Sequence, residues 1–328
     1  MSSRRRRPIS LGMLAASIAT ASLVAVAFAS TAGAAGPGRN ADGSEAGRPE
    51  VMMKIRGQAK PGGGGGTQLT YHGGVGGVGV ETGFDTVYLI YWGSQWNTND
   101  PSGEAAIQQS FFTGVGGSFW NNSVTQYCQG VASGTVTCTS GTPATNPSAV
   151  LGGVWQDNSA AAPSRPTQSQ LAAEATAAAQ HFGNTTAGSN DTVQYVINTA
   201  TGNNSSGFGR RYCAWHSSTS SNFGNIAYTN MPYITDAGAS CGANFNGLGA
   251  NAGITIVGGH EFGETETDIF PNGGWLDGSG AENGDKCAWI SSGQGAAANI
   301  TLSTGTFAVQ SLWSNAFNSG AGGCVLSY

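Results

Sequence analysis

Charge is scarce in this chain, and positive charge is scarcest of all. Asp, Glu, Lys and Arg make up 9% of the 328 residues, and beyond residue 61 only four basic residues stand against 15 acidic ones. Nucleic acids and anionic membranes are bound through clustered Lys and Arg side chains. The composition therefore argues against a nucleic acid or a membrane surface as the partner of this protein.

Two sequence patterns are also absent, and each absence removes a class of protein. No apolar run of about 18 residues follows the first 35, so no transmembrane helix is expected after them. No Cys-x-x-Cys pair occurs, which argues against a cysteine-bound zinc site. The serines of the body lie in Gly/Ser-rich loops with no distinguishing context, which leaves a serine nucleophile without support.

The N-terminus has the three parts of a secretory signal peptide. Arg4–Arg7 are basic, Leu11–Phe28 are apolar, and small residues in Ala-x-Ala spacing follow. We therefore expect residues 1–35 to be removed and the mature protein to be secreted and extracellular. Subtracting the four arginine charges shifts the formal net charge of −5 to about −9.

The six cysteines form an even set, and an exported protein can oxidise them. Six cysteines allow 15 pairings. Proximity in the sequence favours three local disulfides: Cys128 with Cys138, Cys213 with Cys241, and Cys287 with Cys324.

Residues 36–80 differ in composition from the rest. Nine of the 13 basic residues lie before residue 61, and a glycine tract follows at Gly62–Gly66. Such a stretch is typical of a flexible linker or a pro-segment. We expect it to be dispensable for the fold and removed after export, and its basic part to be attracted to the acidic segment described below. Residues 81–328 are then a single globular domain.

The order of apolar segments favours an α/β fold. Thr86–Trp92 is a short apolar run typical of a buried strand, and Ala105–Phe112 has helical spacing. The cycle recurs in the helical Thr167–Phe182 and the strand-like Val193–Ile197. A single disulfide-containing α/β domain is the expectation, and a mixed α+β arrangement is its alternative.

Function is expected between Gly258 and Trp289. Seven acids and one histidine lie there, and a short β-branched run, Ile254–Val257, precedes them. On a helix, His260, Glu264 and Asp268 would form one stripe, since residues four apart lie above one another. One divalent ion could contact all three.

His260-Glu261-x-x-Glu264 resembles the His-Glu-x-x-His segment of zinc metallopeptidases. The resemblance implies His260 and Glu264 as ligands, Glu261 as the general base, and zinc as the first metal to expect. Glutamate replaces the second histidine here, and further carboxylates shift the preference towards harder ions such as calcium. The third ligand is left open among four acids: Asp268, Asp277, Glu282 and Asp285.

Two other readings of the acids stay open. The stretch from Asp277 to Asp285 places carboxylates among glycines, which suits either a calcium loop or a polar surface turn. Glu261 or Glu264 could instead work with Asp277 or Glu282 as a pair of catalytic carboxylates.

His216 is the best remote candidate for a metal ligand or an acid/base partner. It follows Tyr212-Cys213-Ala214-Trp215, beside an expected disulfide. A hydrogen-bonded structural histidine is the competing interpretation.

Several segments together resemble the EXORDIUM and phosphate-induced proteins of plant cell walls. They are Val87–Gly93, Tyr212–His216, His260–Asp268, Glu282–Cys287, and Phe307–Asn315 with Cys324. The resemblance spans most of residues 85–328, and it implies secretion, one disulfide-containing domain and an extracellular role.

The leading expectation is a secreted metal-dependent hydrolase, a peptidase first of all, acting on a peptide or a cell-wall polymer. Its alternative is a non-catalytic extracellular or cell-wall-associated protein with a structural calcium site. The sequence leaves the oligomeric state open.

Overall fold

A six-stranded sheet organises the residues that this computed structural model describes, 50–59 and 68–328. The described strands are β1 Val51–Lys54, β2 Thr70–Tyr71, β3 Thr86–Trp92, β4 Cys128–Gln129, β5 Thr142–Pro143, β6 Leu151–Asp157, β7 Val193–Thr199, β8 Tyr212–Ser221, β9 Gly224–Met231, β10 Trp275–Leu276, β11 Ala298–Leu302, β12 Gly305–Val309, β13 Leu312–Ser314 and β14 Gly323–Val325. The α-helices are α1 Glu104–Gly114, α2 Gln168–His181, α3 Ala252–Thr267 and the short α4 Phe317–Gly320. The signal peptide expected in residues 1–35 lies outside the described residues.

The sheet has the strand order β1-β8-β9-β7-β3-β6. Strands β9, β7, β3 and β6 run parallel to one another, whereas β8 is antiparallel to both β9 and β1. Helix α1 follows β3 and helix α2 follows β6, because parallel neighbours need a crossover connection. The fold is therefore a mixed α+β arrangement with a largely parallel sheet, which confirms the fold class in its mixed form.

Helices cover both faces of the sheet. Helix α2 packs on one face with Ile90, Tyr195 and Tyr228. Helices α1 and α3 pack on the other face, where Leu89 and Val196 point. Alternate residues of β3 and β7 thus enter opposite cores, as the two-residue period of a strand requires.

Helix α3 begins earlier than the sequence suggests. The β-branched run Ile254–Val257 lies inside the helix, and the chain leaves the helix at Asp268 with φ −148°. All 16 residues of α3 are buried. An element buried on every side has no polar stripe, so the helical period could not show in its sequence.

The three disulfides join the cysteine pairs that proximity favours: Cys128–Cys138, Cys213–Cys241 and Cys287–Cys324. The described residues contain no free cysteine. Three disulfides indicate an oxidising, extracellular-type environment. In the described part of the chain, no helix combines the length and apolarity that a membrane crossing requires.

The described parts of residues 36–80 differ from a free linker. Strand β1 forms the edge of the main sheet, with Met53 fully buried against it. Leu69, Tyr71 and Val80 are buried as well, and β2 pairs with β10. Short apolar runs in these stretches pack against the rest of the fold. The glycine-rich composition around them gave no sign of this packing. Removal after export stays a prediction.

Candidate metal centre

Helix α3 brings the first two site residues together. His260 and Glu264 are one helical turn apart, and the distance from His260 Nε2 to Glu264 Oε1 is 3.0 Å. Both side chains are fully buried. Gly263 lies on this helix where a Cβ would stand 2.8 Å from Leu312 Cδ1, so glycine lets α3 approach its neighbour closely.

Asp285 completes a group of three possible ligands. Its Oδ1 lies 4.0 Å from His260 Nε2, and its backbone N–H donates to Glu264 Oε1 at 2.8 Å. The ligand atoms of His260, Glu264 and Asp285 all lie within 4.8 Å of one another. We call these three residues the candidate centre. The Asp285 side chain is 24% exposed, so solvent reaches the candidate centre from its side.

A glycine allows this loop to reach the helix. A Cβ at Gly284 would lie 2.9 Å from both Glu264 Oε1 and His260 Nδ1. Any larger residue would therefore push the loop, and with it Asp285, away from His260.

Strand β8 adds His216 from the sheet. His216 Nδ1 lies 3.2 Å from Glu261 Oε2 and 3.6 Å from Glu264 Oε2. Each oxygen of Glu264 thus faces a different histidine, and His216, Glu261 and Glu264 form a second group with metal-ligand spacing. The structure brings together every residue of the predicted His-Glu-x-x-Glu segment and the remote His216.

Glu282 lies behind His216, further from solvent. Its Oε2 is 3.4 Å from His216 Nε2, and both residues are buried. Burial raises the pKa of Glu282 well above its usual value, and the charges of Glu264 and Asp268 raise it further. Glu282 is therefore expected to hold a proton, which suits a buried supporting residue better than a metal ligand.

The pKa values of the residues in the candidate centre depend on burial and on the charges of one another. Burial lowers the pKa of His260, but the charges of Glu264, Glu261 and Asp285 outweigh it and raise this pKa to about 9. Burial raises the pKa of Glu264, yet the two histidines lower it overall. Burial raises the pKa of Asp285 to about 7, with Glu264 adding to the effect. Positive charge is thus favoured among these carboxylates, whether from a proton or from a cation.

Several polar atoms here are buried without a hydrogen-bond partner among the described residues. They are Nε2 of His216 and His260, Oε1 of Glu261, Oε2 of Glu264, and both side-chain oxygens of Glu282. An unsatisfied buried polar group costs on the order of 1–3 kcal/mol. Metal at the candidate centre would satisfy Nε2 of His260, and the mixture of imidazole nitrogen and carboxylate oxygen fits a divalent ion.

Two of the predicted ligands lie elsewhere. The Asp268 carboxylate accepts hydrogen bonds from the backbone N–H groups of Asn272 and Gly273 at 2.8 and 2.9 Å, and it caps that turn instead of facing His260. Asp277 forms an ion pair with Lys286 at 3.0 Å. Burial alone would raise the pKa of Asp277, but Ser279 and Lys286 lower it to about 2. The predicted stripe therefore ends at Glu264, because the chain leaves the helix at Asp268.

Sequence reasoning missed Gln310. Its Oε1 accepts from His260 Nδ1 at 3.2 Å, while its Nε2 donates to the Gly284 carbonyl at 2.8 Å. The proton on Nδ1 leaves the lone pair on Nε2, the atom that faces Glu264 and Asp285. No local signal marked Gln310, since it lies in the two-residue connection between β12 and β13.

A second set of buried carboxylates, also missed, contacts the C-terminal half of α3. Glu81, Asp85 and Glu266 are each at most 1% exposed. Asn121 Nδ2 donates to Glu266 Oε1 at 2.8 Å, and Thr145 Oγ1 donates to Asp85 at 3.0 Å. We call these three residues the acid cluster. No histidine, Lys or Arg is among the charges that act on its three carboxyl groups.

Comparison with protein-family models, with curated proteins and with solved structures found no match to this chain. The functional argument therefore rests on the geometry of the site.

Proposed function

We propose that this protein is a metal-dependent hydrolase, and most specifically a peptidase, in which the candidate centre binds one divalent ion. The observation that carries the proposal is the approach of His260 Nε2, a Glu264 oxygen and an Asp285 oxygen to within 4.8 Å of one another. Three protein ligands leave a position for water or substrate, as in catalytic zinc sites. The partial exposure of Asp285 supports access to that position.

Glu261 is the general base in this proposal. Its Oε2 is held 3.2 Å from His216 Nδ1, and its Oε1 has no partner. Bound metal supplies a Lewis acid and lowers the pKa of a coordinated water. Burial raises the pKa of Glu261 above its usual value, although His216 and His260 oppose this. A carboxylate base with a raised pKa accepts a proton more readily.

His216 acts on Glu261 and is a positioning residue. Its Nδ1–H donates to Glu261, so it fixes one carboxylate oxygen and leaves the other free for the reaction. Burial lowers the pKa of His216, and the neighbouring Glu261 and Glu264 raise it overall. A protonated His216 stabilises the ionised form of Glu261, which is the form that accepts a proton.

Zinc is the metal we propose first. One imidazole and two carboxylates lie within the donors that zinc accepts, and calcium prefers six to eight oxygen ligands. A secreted peptidase would act on a peptide, and the resemblance to the EXORDIUM and phosphate-induced proteins implies an extracellular setting, where a cell-wall polymer is the other substrate to test.

Burial favours a second function, a structural metal site in a non-catalytic extracellular protein. His216, His260, Glu261, Glu264 and Glu282 are each at most 1% exposed. A metal in such surroundings would stabilise the fold and meet no substrate. Calcium is the alternative ion for that role.

The test combines metal analysis with the variant Glu261→Gln. The purified secreted protein should hold or take up about one zinc per chain, and Glu261→Gln should keep the metal while peptide hydrolysis falls by roughly 10²–10⁴. Glu174→Gln, a substitution of a buried glutamate on α2, is the matched control and should leave turnover unchanged.

Each outcome decides between the two functions. A protein that takes up no transition metal at neutral pH contradicts the proposed hydrolase. Metal that raises the melting temperature, with no hydrolysis in either variant or wild type, supports the structural alternative.

A further inference from the structure

We propose that a cavity at the start of β8 binds a ligand that carries several oxyanion groups, carboxylates or phosphates, at a site separate from the candidate centre. The cavity has a volume of about 710 Å³. Small-molecule sites commonly have roughly 300–1,000 Å³. None of its lining residues belongs to the candidate centre or the acid cluster.

The cavity gathers three of the six basic residues in the described part of the chain. Three of the four basic residues beyond residue 61 line it, namely Arg165, Arg210 and Arg211. The fourth, Lys286, is buried in its ion pair with Asp277. In a chain with a large excess of acids, arginines would be expected to lie beside carboxylates. Their convergence on one cavity therefore points to a ligand that supplies the missing negative charge.

Two of these arginines have no neutralising partner among the described residues. Within residues 50–59 and 68–328, the guanidinium groups of Arg165 and Arg210 make no hydrogen bond or ion pair, and both side chains are exposed. Both are free to turn towards a bound anion.

The single carboxylate in the cavity wall is already engaged. Asp236 accepts hydrogen bonds from the Gly202 N–H at 2.7 Å, from Asn204 Nδ2 at 2.9 Å and from the Thr201 hydroxyl. It braces the loop that contains these residues. Its carboxylate therefore accepts hydrogen bonds from local N–H and O–H donors and does not pair with the arginines.

Hydrogen bonds fix the walls of the cavity relative to one another. The N–H groups of Arg210 and Arg211 both donate to the Gly207 carbonyl, at 3.1 and 2.8 Å. Asn203 Nδ2 donates to the carbonyls of Ala162 and Pro163, which joins this wall to the loop of Arg165. The arginines therefore project from backbone positions that exist before any ligand binds, which lowers the entropic cost of binding.

The chemistry of the lining defines the ligand class. Guanidinium groups bind carboxylate and phosphate oxygens in a two-pronged geometry. Arg165 and Arg210 together match a ligand with more than one oxyanion group. The ring of Phe208 also lines the cavity and offers an apolar surface to the body of the ligand.

The experiment measures binding to the full secreted chain by calorimetry, at low and at physiological ionic strength, after the protein has been stripped of metal and dialysed free of chelator. Removing the metal first excludes binding through the candidate centre, and removing the chelator keeps its own carboxylates out of the cavity. The probes are trigalacturonate, a triglutamate peptide and tripolyphosphate. At least one should bind, and the double variant Arg165→Gln/Arg210→Gln should weaken that binding by about 10-fold or more, since two charge-assisted contacts are lost.

Arg56→Gln is the matched control. It removes the same charge from a guanidinium that lies 5.0 Å from the Phe245 ring, outside the cavity. It should leave binding unchanged, and because Arg165 and Arg210 are exposed, all variants should unfold at the temperature of the wild type. The preferred probe identifies the source of the oxyanion as a sugar acid, a peptide or a phosphate.

The proposal is overturned if no probe binds at millimolar concentration at low ionic strength. It is equally overturned if Arg56→Gln weakens binding as much as the double variant, since the interaction would then be with the general surface charge.

Discussion

Helix α3 carries carboxylates into two regions that are equally buried and chemically different. Glu264 enters the candidate centre, where each of its oxygens faces a histidine. Glu266, two residues later, enters the acid cluster, where its neighbours are Asn121 and two further acids. The same helix and the same degree of burial thus produce two kinds of site.

The difference teaches what histidine does for a buried carboxylate. Burial raises the pKa of both glutamates, but His260 and His216 reverse the shift for Glu264, whereas Asp85 and Glu81 increase it for Glu266. The ionised form of Glu264 is therefore favoured, which suits it to bind a cation, whereas the protonated form is favoured for Glu266. Burial alone does not determine the protonation state of a carboxyl group. The charges of its neighbours determine it.

The largest effect is expected from Glu264→Gln compared with Glu266→Gln. Both substitutions change one buried oxygen to an amide nitrogen on the same helix. Glu264→Gln removes a ligand and should lower zinc affinity by more than the roughly 10–100-fold that loss of a supporting residue costs. Glu266→Gln should leave zinc affinity unchanged, because Glu266 lies in the acid cluster and not among the ligands of the candidate centre. Competition titration with a zinc chelator measures both.

Equal losses of affinity in these two variants would contradict the comparison. Such a result would mean that the two regions share one ion, or that the helix as a whole responds to either change.

An intermediate effect is expected from Gln310→Ala. Gln310 holds the His260 ring and the Gly284 loop together, so its loss should lower metal affinity by about 10–100-fold and leave the ligands in place. Gln108→Ala is the matched control, since Gln108 is buried and its side chain has no hydrogen-bond partner among the described residues. A larger loss in the control would show that any buried truncation disturbs the site.

The smallest effect concerns the pH dependence of stability in the acid cluster. Burial raises the pKa of Asp85 from 3.8 to about 7, even though the Thr145 hydroxyl lowers it. Glu81 and Glu266 are the other titrating groups that act with it. Because the folded state binds the proton more tightly, the resulting stability is complete below pH 3.8 and is lost as the pH rises through 7.

Asp85→Asn should remove this dependence. The variant stays neutral, so between pH 5 and 8 its free energy of unfolding should fall by about 1–3 kcal/mol less than that of the wild type. Urea unfolding in EDTA at several pH values measures the difference. Parallel curves for the two proteins would show that Asp85 is ionised in the folded state and that the acid cluster is neutralised in another way.

Local sequence patterns predicted the regular elements well. The run Thr86–Trp92 is strand β3 with the predicted bounds, and the helix predicted over Thr167–Phe182 spans Gln168–His181. These elements have either a fully buried run or one buried face, so their pattern reflects their surroundings. Helix α3 is buried on all sides, so no helical period marks its start, and the stripe predicted from His260 onwards covers only its C-terminal part.

The candidate site was predictable only as far as the helix extends. The spacing of His260 and Glu264 specifies their contact, because residues four apart share a helix face. Asp285 stood among four equivalent acids, and only the folding of its loop selects it. Glu81 and Asp85 lie more than 170 residues from Glu266 in the sequence, and no local pattern relates residues so distant.

The burial of α3 also bears on when a metal can be acquired. The helix contains four glycines, at positions 253, 258, 259 and 263, and glycine disfavours a helix by about 1 kcal/mol per residue relative to alanine. Such a segment does not persist as a helix in an unfolded chain, so His260 and Glu264 come into register only when both neighbouring layers have closed around them. A chain exported in the unfolded state would thus carry no preformed site, and its metal content would be set by the medium in which it folds.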